Sequence, residues 1–378
     1  MDFAFTEEQE VVRDLAAQIL ADRTSHERSK ELETSGVWYD DDLWAELVRA
    51  NLPSVAIPEA YGGSGFGIVE VCLVLEEIGR HCAPVPLFPT LVLGGLAIDA
   101  FGSDEQKQRL LAPVAESGSV LSAALEETGS SNVSRPRVTA KRDGGGWLLD
   151  GEKVGVPAAR LASAILVPAA TGEGAVGVFI LDPNSNGVAI ERQTATHFEP
   201  LGLLRLSGAR VGANDVLGDP QGGAAIVEWI LDRALLGISA MQVGVCASAI
   251  QQTATYLTER KQFDKPIGAF QGVQLRAADA FIDLEAMRAV LLEASWRLSE
   301  GLRARAEIAA TKWWAARGGD RVVNTAQHLH GGIGSDIDYP VHRTYLWAQH
   351  LANQLGGSHP QLARLGAMLV SENERPTL

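Results

Sequence analysis

The sequence predicts a multidomain α+β fold: a helical domain over residues 1–119, a middle β-sandwich or barrel over 120–218, and a bundle of long helices over 219–378. Two observations carry this. Apolar residues recur with a helical period up to about residue 119 and again beyond 224, and between those limits the period vanishes. In the gap, short β-type runs follow one another, each closed by Gly, Pro, Asn or Asp. No segment between the runs is long enough for a crossover helix, so a parallel sheet is not expected.

The elements follow in order. Thr6 reads as an N-cap with Glu7, Glu8 and Glu10 in the first turn, followed by Val11, Val12, Leu15, Ala16, Ile19 and Leu20 at helical spacing. A second helix is expected at 42–48. A third, at 69–80, follows the glycine turn at 62–67, and further helices fit 91–101 and 104–116. Strands are expected at 137–141, 147–150, 164–167, 176–181, 188–191 and 203–211. Long helices then fit 224–259, 270–300, 302–328 and 340–355, with a short one to finish. There are no internal repeats or low-complexity linkers.

Composition excludes some functions. The chain has 378 residues, 46% hydrophobic and 21% charged, ordinary for a globular protein with a well-filled core. A net charge of −15 argues against a nucleic-acid surface, which works by neutralising phosphates. It leaves room for a phosphate-bearing cofactor, which needs only a few local donors. Cys72, Cys82 and Cys246 are scattered and read as small buried hydrophobes, with no disulfide frame and no metal site. The acidic opening Met1-Asp2-Phe3-Ala4 fits neither a signal nor a transit peptide, and no uncharged apolar run reaches about 18 residues. A cytoplasmic protein without a membrane span is expected.

Two segments have the residue types for binding chemistry. In 260–274, Arg260 offers fork-shaped donors for a phosphate, Phe263 a ring face, and Gln271 both donor and acceptor, around the Pro266-Ile267-Gly268 turn. A polar corner between helices explains the same segment about as well. At 327–334, a long helix ends in Gln327-His328-Leu329-His330-Gly331-Gly332-Ile333-Gly334, whose bare amides can approach an anion. A dinucleotide fingerprint needs a strand before its glycines and a helix after. These glycines follow a helix, and those at 62–67 lack the later acidic strand end, so a Rossmann unit is not expected.

Segment 260–274, the His328–Gly334 run, the opening Phe5-Thr6-Glu7-Glu8-Gln9 and Pro58-Glu59-Ala60-Tyr61-Gly62-Gly63 together resemble the acyl-CoA dehydrogenase family across essentially the whole chain. The resemblance implies a C-terminal four-helix bundle and FAD bound across a dimer interface. The flavin ring would lie against the β domain of one subunit, and the adenine diphosphate against the C-terminal domain of another. Arg260, Gln262, Phe263, Gln271, His328, Gly331, Gly332 and Gly334 match the family's adenine- and pyrophosphate-side positions, with His328 where Gln is usual.

The ring side departs from the family. Its Leu-Thr-Glu-Pro-Gly-Ala-Gly-Ser-Asp segment reads here as Leu125-Glu126-Glu127-Thr128-Gly129-Ser130-Ser131-Asn132, one residue shorter, with Glu126 for the Thr that faces the flavin. Lys153-Val154-Gly155-Val156-Pro157-Ala158-Ala159 lacks the aromatic wall and hydroxyl of the second flavin-facing segment. Gly356 stands where the family most often has its catalytic Glu, and Asp232, before Arg233, resembles the base that a minority carries on the first bundle helix. The plainer reading of Asp232 is an acid paired with a nearby Arg. The pattern resembles the smaller subunits of actinobacterial heterotetrameric dehydrogenases acting on steroid side-chain CoA thioesters. It implies an acyl-CoA substrate, a second dehydrogenase subunit or self-association, and an electron-transfer flavoprotein as electron acceptor. The alternatives are a self-sufficient homo-oligomer using Asp232 as base, and a flavin-free scaffold.

Overall fold

A computed structural model describes residues 4–130 and 132–370. The Met1-Asp2-Phe3 opening, Ser131 and the C-terminal end of the last predicted domain lie outside the described residues. The N-terminal helices are α1 (Glu7–Arg23), α2 (His26–Ser35), α3 (Asp41–Arg49) and α4 (Ile68–Arg80). A π-helical stretch (Phe88–Gly95), α5 (Leu96–Phe101), α6 (Asp104–Leu110) and α7 (Ala112–Ser117) follow. The strands are β1 (Val120–Ala123), β2 (Thr139–Asp143), β3 (Gly146–Pro157), β4 (Ala162–Gly172), β5 (Ala175–Leu181), β6 (Val188–Thr194), β7 (Pro200–Gly212) and β8 (Val216–Leu217). Then come α8 (Gly223–Glu259), the hairpin β9 (Lys261–Gln262) and β10 (Lys265–Pro266), α9 (Gln271–Ser299), α10 (Arg305–His330), α11 (Val341–Asn353) and α12 (Ser358–Val370). The helical, β and helical order expected from the sequence is the order observed.

Details differ for identifiable reasons. Helix α2 escapes a periodicity argument because Leu32 is its only buried residue. The expected helix at 91–101 begins as the π-helical stretch, all of whose residues are buried, so its sequence shows no face to count. In α1 the expected N-cap Thr6 forms, as part of a capping box, Thr6 Oγ1 accepting from Gln9 N and Gln9 Oε1 from Thr6 N. Its buried face is Val12, Ala16 and Leu20, with Val11 and Leu15 exposed.

The described residues form two compact units, each drawn from separate segments. The first comprises residues up to Glu31, Ile68–Ala83 and Leu235–Leu378. Within it α4 and α8 touch backbone to backbone. A Cβ on Gly79 would sit 2.0 Å from Met241 O, and one on Gly244 1.8 Å from Glu76 O, so only glycine fits at this crossing. Helix α10 packs against α9, α11 and α12. Its Lys312 is wholly buried and donates to Leu351 O (2.6 Å) and Ala352 O (3.0 Å), capping the C-terminal carbonyls of α11. Among the described residues α8 is long and apolar enough to cross a membrane, and 83% of its apolar window is buried inside the protein.

The second unit, Leu32–Gly67 with Pro84–Ala234, is built on one eight-stranded sheet in the order β6-β7-β3-β2-β4-β5-β8, with β1 beside β4. Strands β3 and β7 pair antiparallel with bulges between Leu149 and Gly151 and between Lys153 and Val156, which bend the sheet. The sheet is not wholly antiparallel, which corrects the sequence expectation. β1 runs parallel to β4 from Val120↔Ala162 to Ala123↔Leu166, and β2 meets β4 in parallel at Thr139↔Ala170. The β2–β3 hairpin itself returns the chain for the crossover, so no helix is needed.

Candidate functional site

Helix α8 ends at Glu259, and Arg260 opens the β9–β10 hairpin, its N–H donating to Tyr256 O and its carbonyl accepting from Ile267 N, both at 2.9 Å. Gln262 pairs with Lys265, leaving Phe263 and Asp264 as a two-residue loop with φ of 54° and 65°. Such a loop favours Asn or Gly, and a Phe there is strained by about 1 kcal/mol or more. Its ring is 87% exposed. Strain and exposure thus coincide at an aromatic loop tip. Gln271 begins α9, also exposed, after Phe270, which gives that helix no side-chain cap. Gln262 turns its amide back to Lys261 O at 2.9 Å.

The end of α10 is tied to this hairpin by aromatic packing. The Tyr256 and His330 rings stack at 4.6 Å and 23°, and Tyr339 lies 5.4 Å from His330. His330 Nδ1 is 2.8 Å from Ala326 O and donates to it, while Nε2 is buried with no hydrogen-bond partner among the described residues. Burial holds the pKa of His330 below its ordinary value, opposed by that backbone bond. Gly331 follows with φ 66° and ψ −142°, a conformation open essentially to glycine alone. A Cβ on Gly331 or Gly332 would meet nothing within 4 Å, so both backbones stand open. Gly334 is instead a packing glycine, since a Cβ there would lie 2.5 Å from Gln327 Oε1.

The two segments share an apolar pocket of about 240 Å³, with Leu257, Val273 and Gln274 on one side and Val322, Ala326 and Leu329 on the other. His328 is exposed and lines a groove of about 700 Å³ with Arg276, Arg317, Arg321 and Asn324. That groove also carries Asp279, Asp283 and Asp320, and Arg321 Nε donates to Asp283 Oδ2 at 2.8 Å, so its charges are interleaved. A flat heteroaromatic ring with an attached diphosphate fits this arrangement: an apolar slot, an exposed guanidinium and ring, and two bare glycines.

The ring-facing strands are built otherwise. Val154 N donates to Glu126 O at 2.9 Å and Gly155 N to Gln193 Oε1 at 2.9 Å. Gly155 has φ 62°, and a side chain begun there would start 3.7 Å from Glu126 Oε2. Ala158 is also left-handed, at φ 49°. Beneath them Lys153, wholly buried, pairs with Glu127 at 2.8 Å, and Glu127 accepts from Arg137 N (2.7 Å) and Val138 N (3.1 Å). Burial pushes the Glu127 pKa up, but the Lys153 ammonium and these two N–H groups hold it below the ordinary carboxylate value. The Glu126 carboxylate thus lies beside the left-handed Gly155 on these strands.

The catalytic candidates fare differently. Asp232 is buried on α8 in the second compact unit. Beside it the Arg233 guanidinium lies 3.3 Å over the Trp229 ring, Trp229 packs edge-on to Phe101 at 5.2 Å, and burial lowers the Arg233 pKa to about 10 against the pull of Asp232. Gly356 has φ 93° after Leu355 at φ 54°, and a Cβ there would meet Pro360 Cβ at 3.2 Å.

Comparison with known proteins decides the family. The family model "Acyl-CoA dehydrogenase, N-terminal domain" matches residues 6–118 and "Acyl-CoA dehydrogenase, C-terminal domain" residues 221–368. Acyl-CoA dehydrogenase FadE27 of Mycobacterium tuberculosis is 36% identical over 378 residues, covering 98% of this chain and 99% of the relative. This chain belongs to the acyl-CoA dehydrogenase family. A Tcur3481-Tcur3483 steroid acyl-CoA dehydrogenase variant matches with a TM-score of 0.89 and 42% identity, over 96% of this chain and 97% of the other. The ChsE4-ChsE5 complex from Mycobacterium tuberculosis matches at 0.92 and 36%, over 98% and 99%.

Acyl-CoA dehydrogenases are flavin-dependent oxidoreductases that act on acyl-CoA. Within this member, sequence reasoning overlooked Tyr256, whose stack on His330 joins the two binding segments, and Lys312, which fastens the helix before Gly356. Tyr256 was hidden because it marks no motif. Lys312 was legible only as a cation on the apolar face of α10.

Proposed function

We propose that this chain is one subunit of a hetero-oligomeric acyl-CoA dehydrogenase, lending adenine-side contacts to an FAD whose ring is seated in a partner's β domain. One contrast carries the reading: the Arg260–Phe263 hairpin presents an open cradle, while Glu126 stands over Gly155 on the ring-facing strands. Arg260, Phe263 and Gln271 hold the adenine diphosphate portion, with Gln262, His328, Gly331 and Gly332 around them and Gly334 packed behind against Gln327. An Arg–phosphate contact contributes about 1.5–3 kcal/mol. FAD, when bound, takes up the β-hydrogen of the acyl-CoA as hydride. Lys153 and Glu127 keep the ring-facing strands rigid beneath Glu126. The steroid dehydrogenase matches favour CoA thioesters of steroid side chains as substrates, and an electron-transfer flavoprotein completes the electron path.

The test is flavin content. Purified alone, the chain should be colourless. Co-expressed with its partner subunit, the complex should be yellow, bleach with substrate and hold half as many flavins as subunits. A yellow homo-oligomer bleached by acyl-CoA would replace this reading with the self-sufficient enzyme using Asp232. A complex that never takes up flavin would replace it with the scaffold.

A further inference from the structure

The first compact unit contains a second polar cavity, separate from the residues of the adenine-side cradle. It is about 150 Å³ in volume and lies among the α1–α2 turn, the end of α4, the middle of α8 and the start of α11. Arg80, Arg343, His26, His81, Ser25 and Ser29 line it. Among the described residues none that lines it is Asp or Glu, in a chain of net charge −15.

The wall is ordered by hydrogen bonds, among them Ser29 Oγ donating to Ser25 O at 3.0 Å. Arg80 Nε is 3.0 Å from both Glu77 oxygens and its Nη2 3.1 Å from Glu76 Oε1, so two carboxylates outside the lining fix that guanidinium. His81 Nδ1 meets Thr24 Oγ1 at 3.2 Å. Arg343, buried, has Nη1 3.3 Å from His26 Nδ1; a guanidinium only donates, so the imidazole nitrogen accepts there. The N-termini of α2 and α11 both open on the cavity. Pro340 gives α11 no side-chain cap, and although Arg343 N donates to Pro340 O at 3.1 Å, the N–H groups of Val341 and His342 have no backbone partner among the described residues. Gln252 also lines the cavity, and its Oε1 is buried with no hydrogen-bond partner among the described residues. The P–OH of a protonated phosphate would give that acceptor a donor.

We propose that this cavity is a phosphate site, taking either inorganic phosphate or the phosphate monoester of a nucleotide, held by Arg80, Arg343, Ser25, Ser29 and the α11 N-terminus. It is independent of the flavin reading, since none of its residues belongs to the proposed FAD contacts.

Isothermal titration of the full chain with inorganic phosphate, and separately with adenosine 3′,5′-bisphosphate, against sodium chloride of matched ionic strength, tests it. Binding with a Kd of about 1 mM or below is expected. Tighter binding of the bisphosphate assigns the site to a nucleotide, and equal or tighter binding of phosphate assigns it to the free ion. Ser29→Asp, which adds a carboxylate at a partly exposed position, and Arg343→Gln should each weaken binding about tenfold or more. Ser29→Asp keeps the test informative if Arg343→Gln fails to fold. Absence of heat with both ligands, or Ser29→Asp binding as the parent does, overturns the proposal.

Discussion

The Tyr256 ring lies on that of His330 at 4.6 Å and 23°, joining the end of α8 to the end of α10. Arg260 is one helical turn beyond the first residue and Gly331 directly after the second, so the stack sets the geometry of both binding segments. Because the pKa of His330 is held low by burial, the folded state prefers the neutral ring. Its contribution to stability is therefore full above the unfolded value of about 6.5 and is lost as pH falls below it. His81, also lowered by burial, adds to the same loss. Urea unfolding at pH 7.5 and pH 5 should show a smaller acid loss in His330→Phe than in the parent. An equal loss would remove His330 from the account.

Arg260→Ala should weaken FAD retention in the assembled protein by about tenfold or more, from the lost charge-assisted contact. Phe263→Asn should weaken it too, yet raise chain stability by up to about 1 kcal/mol, because Asn tolerates the left-handed loop position. Opposite signs in flavin release and thermal melting would identify the strain as functional. A fall in both would mark Phe263 as a structural residue.

Gly356→Glu should not create a base. At φ 93° a side chain is strained by about 1–3 kcal/mol, and the Cβ meets Pro360 at 3.2 Å. Turnover of the complex should stay unchanged and melting should drop; a gain in turnover would contradict the proposed division of labour.

On the proposed division of labour, in which the partner supplies the base, Asp232→Asn should leave turnover of the complex nearly unchanged. A fall of about two to four orders of magnitude would make Asp232 the base instead.

Lys153→Met should destabilise the chain by about 3–5 kcal/mol by leaving Glu127 buried without its cation. Glu127 has a lowered pKa, so the stability it contributes is present above the unfolded value of 4.5 and fades as pH falls below it. Acid titration of unfolding in the parent and in Glu127→Gln, which has no carboxylate to protonate, checks this.

Several features were legible in the residues alone. Thr6 announced the N-cap that starts α1, the lost helical period located the sheet, and Arg260 with Phe263 drew attention to the hairpin. Others were not. All-round burial erased the face by which the 88–95 stretch could have been recognised, and α2 has only Leu32 to show. Gly334 looked like an open amide beside Gly331 and Gly332, and its contact with Gln327 depends on how the chain folds back after α10.

By itself the sequence determined the order of helical, β and helical segments, because periodicity and turn chemistry are local properties of neighbouring residues. It also carried the family resemblance, through motifs read in order. Only the tertiary structure decided that β1 and β4 run parallel, that Tyr256 supports His330, and that Glu126 reaches the space over Gly155. Each of these joins residues distant along the chain, and pairing at such separations is fixed by packing and backbone hydrogen bonding, which no local pattern records.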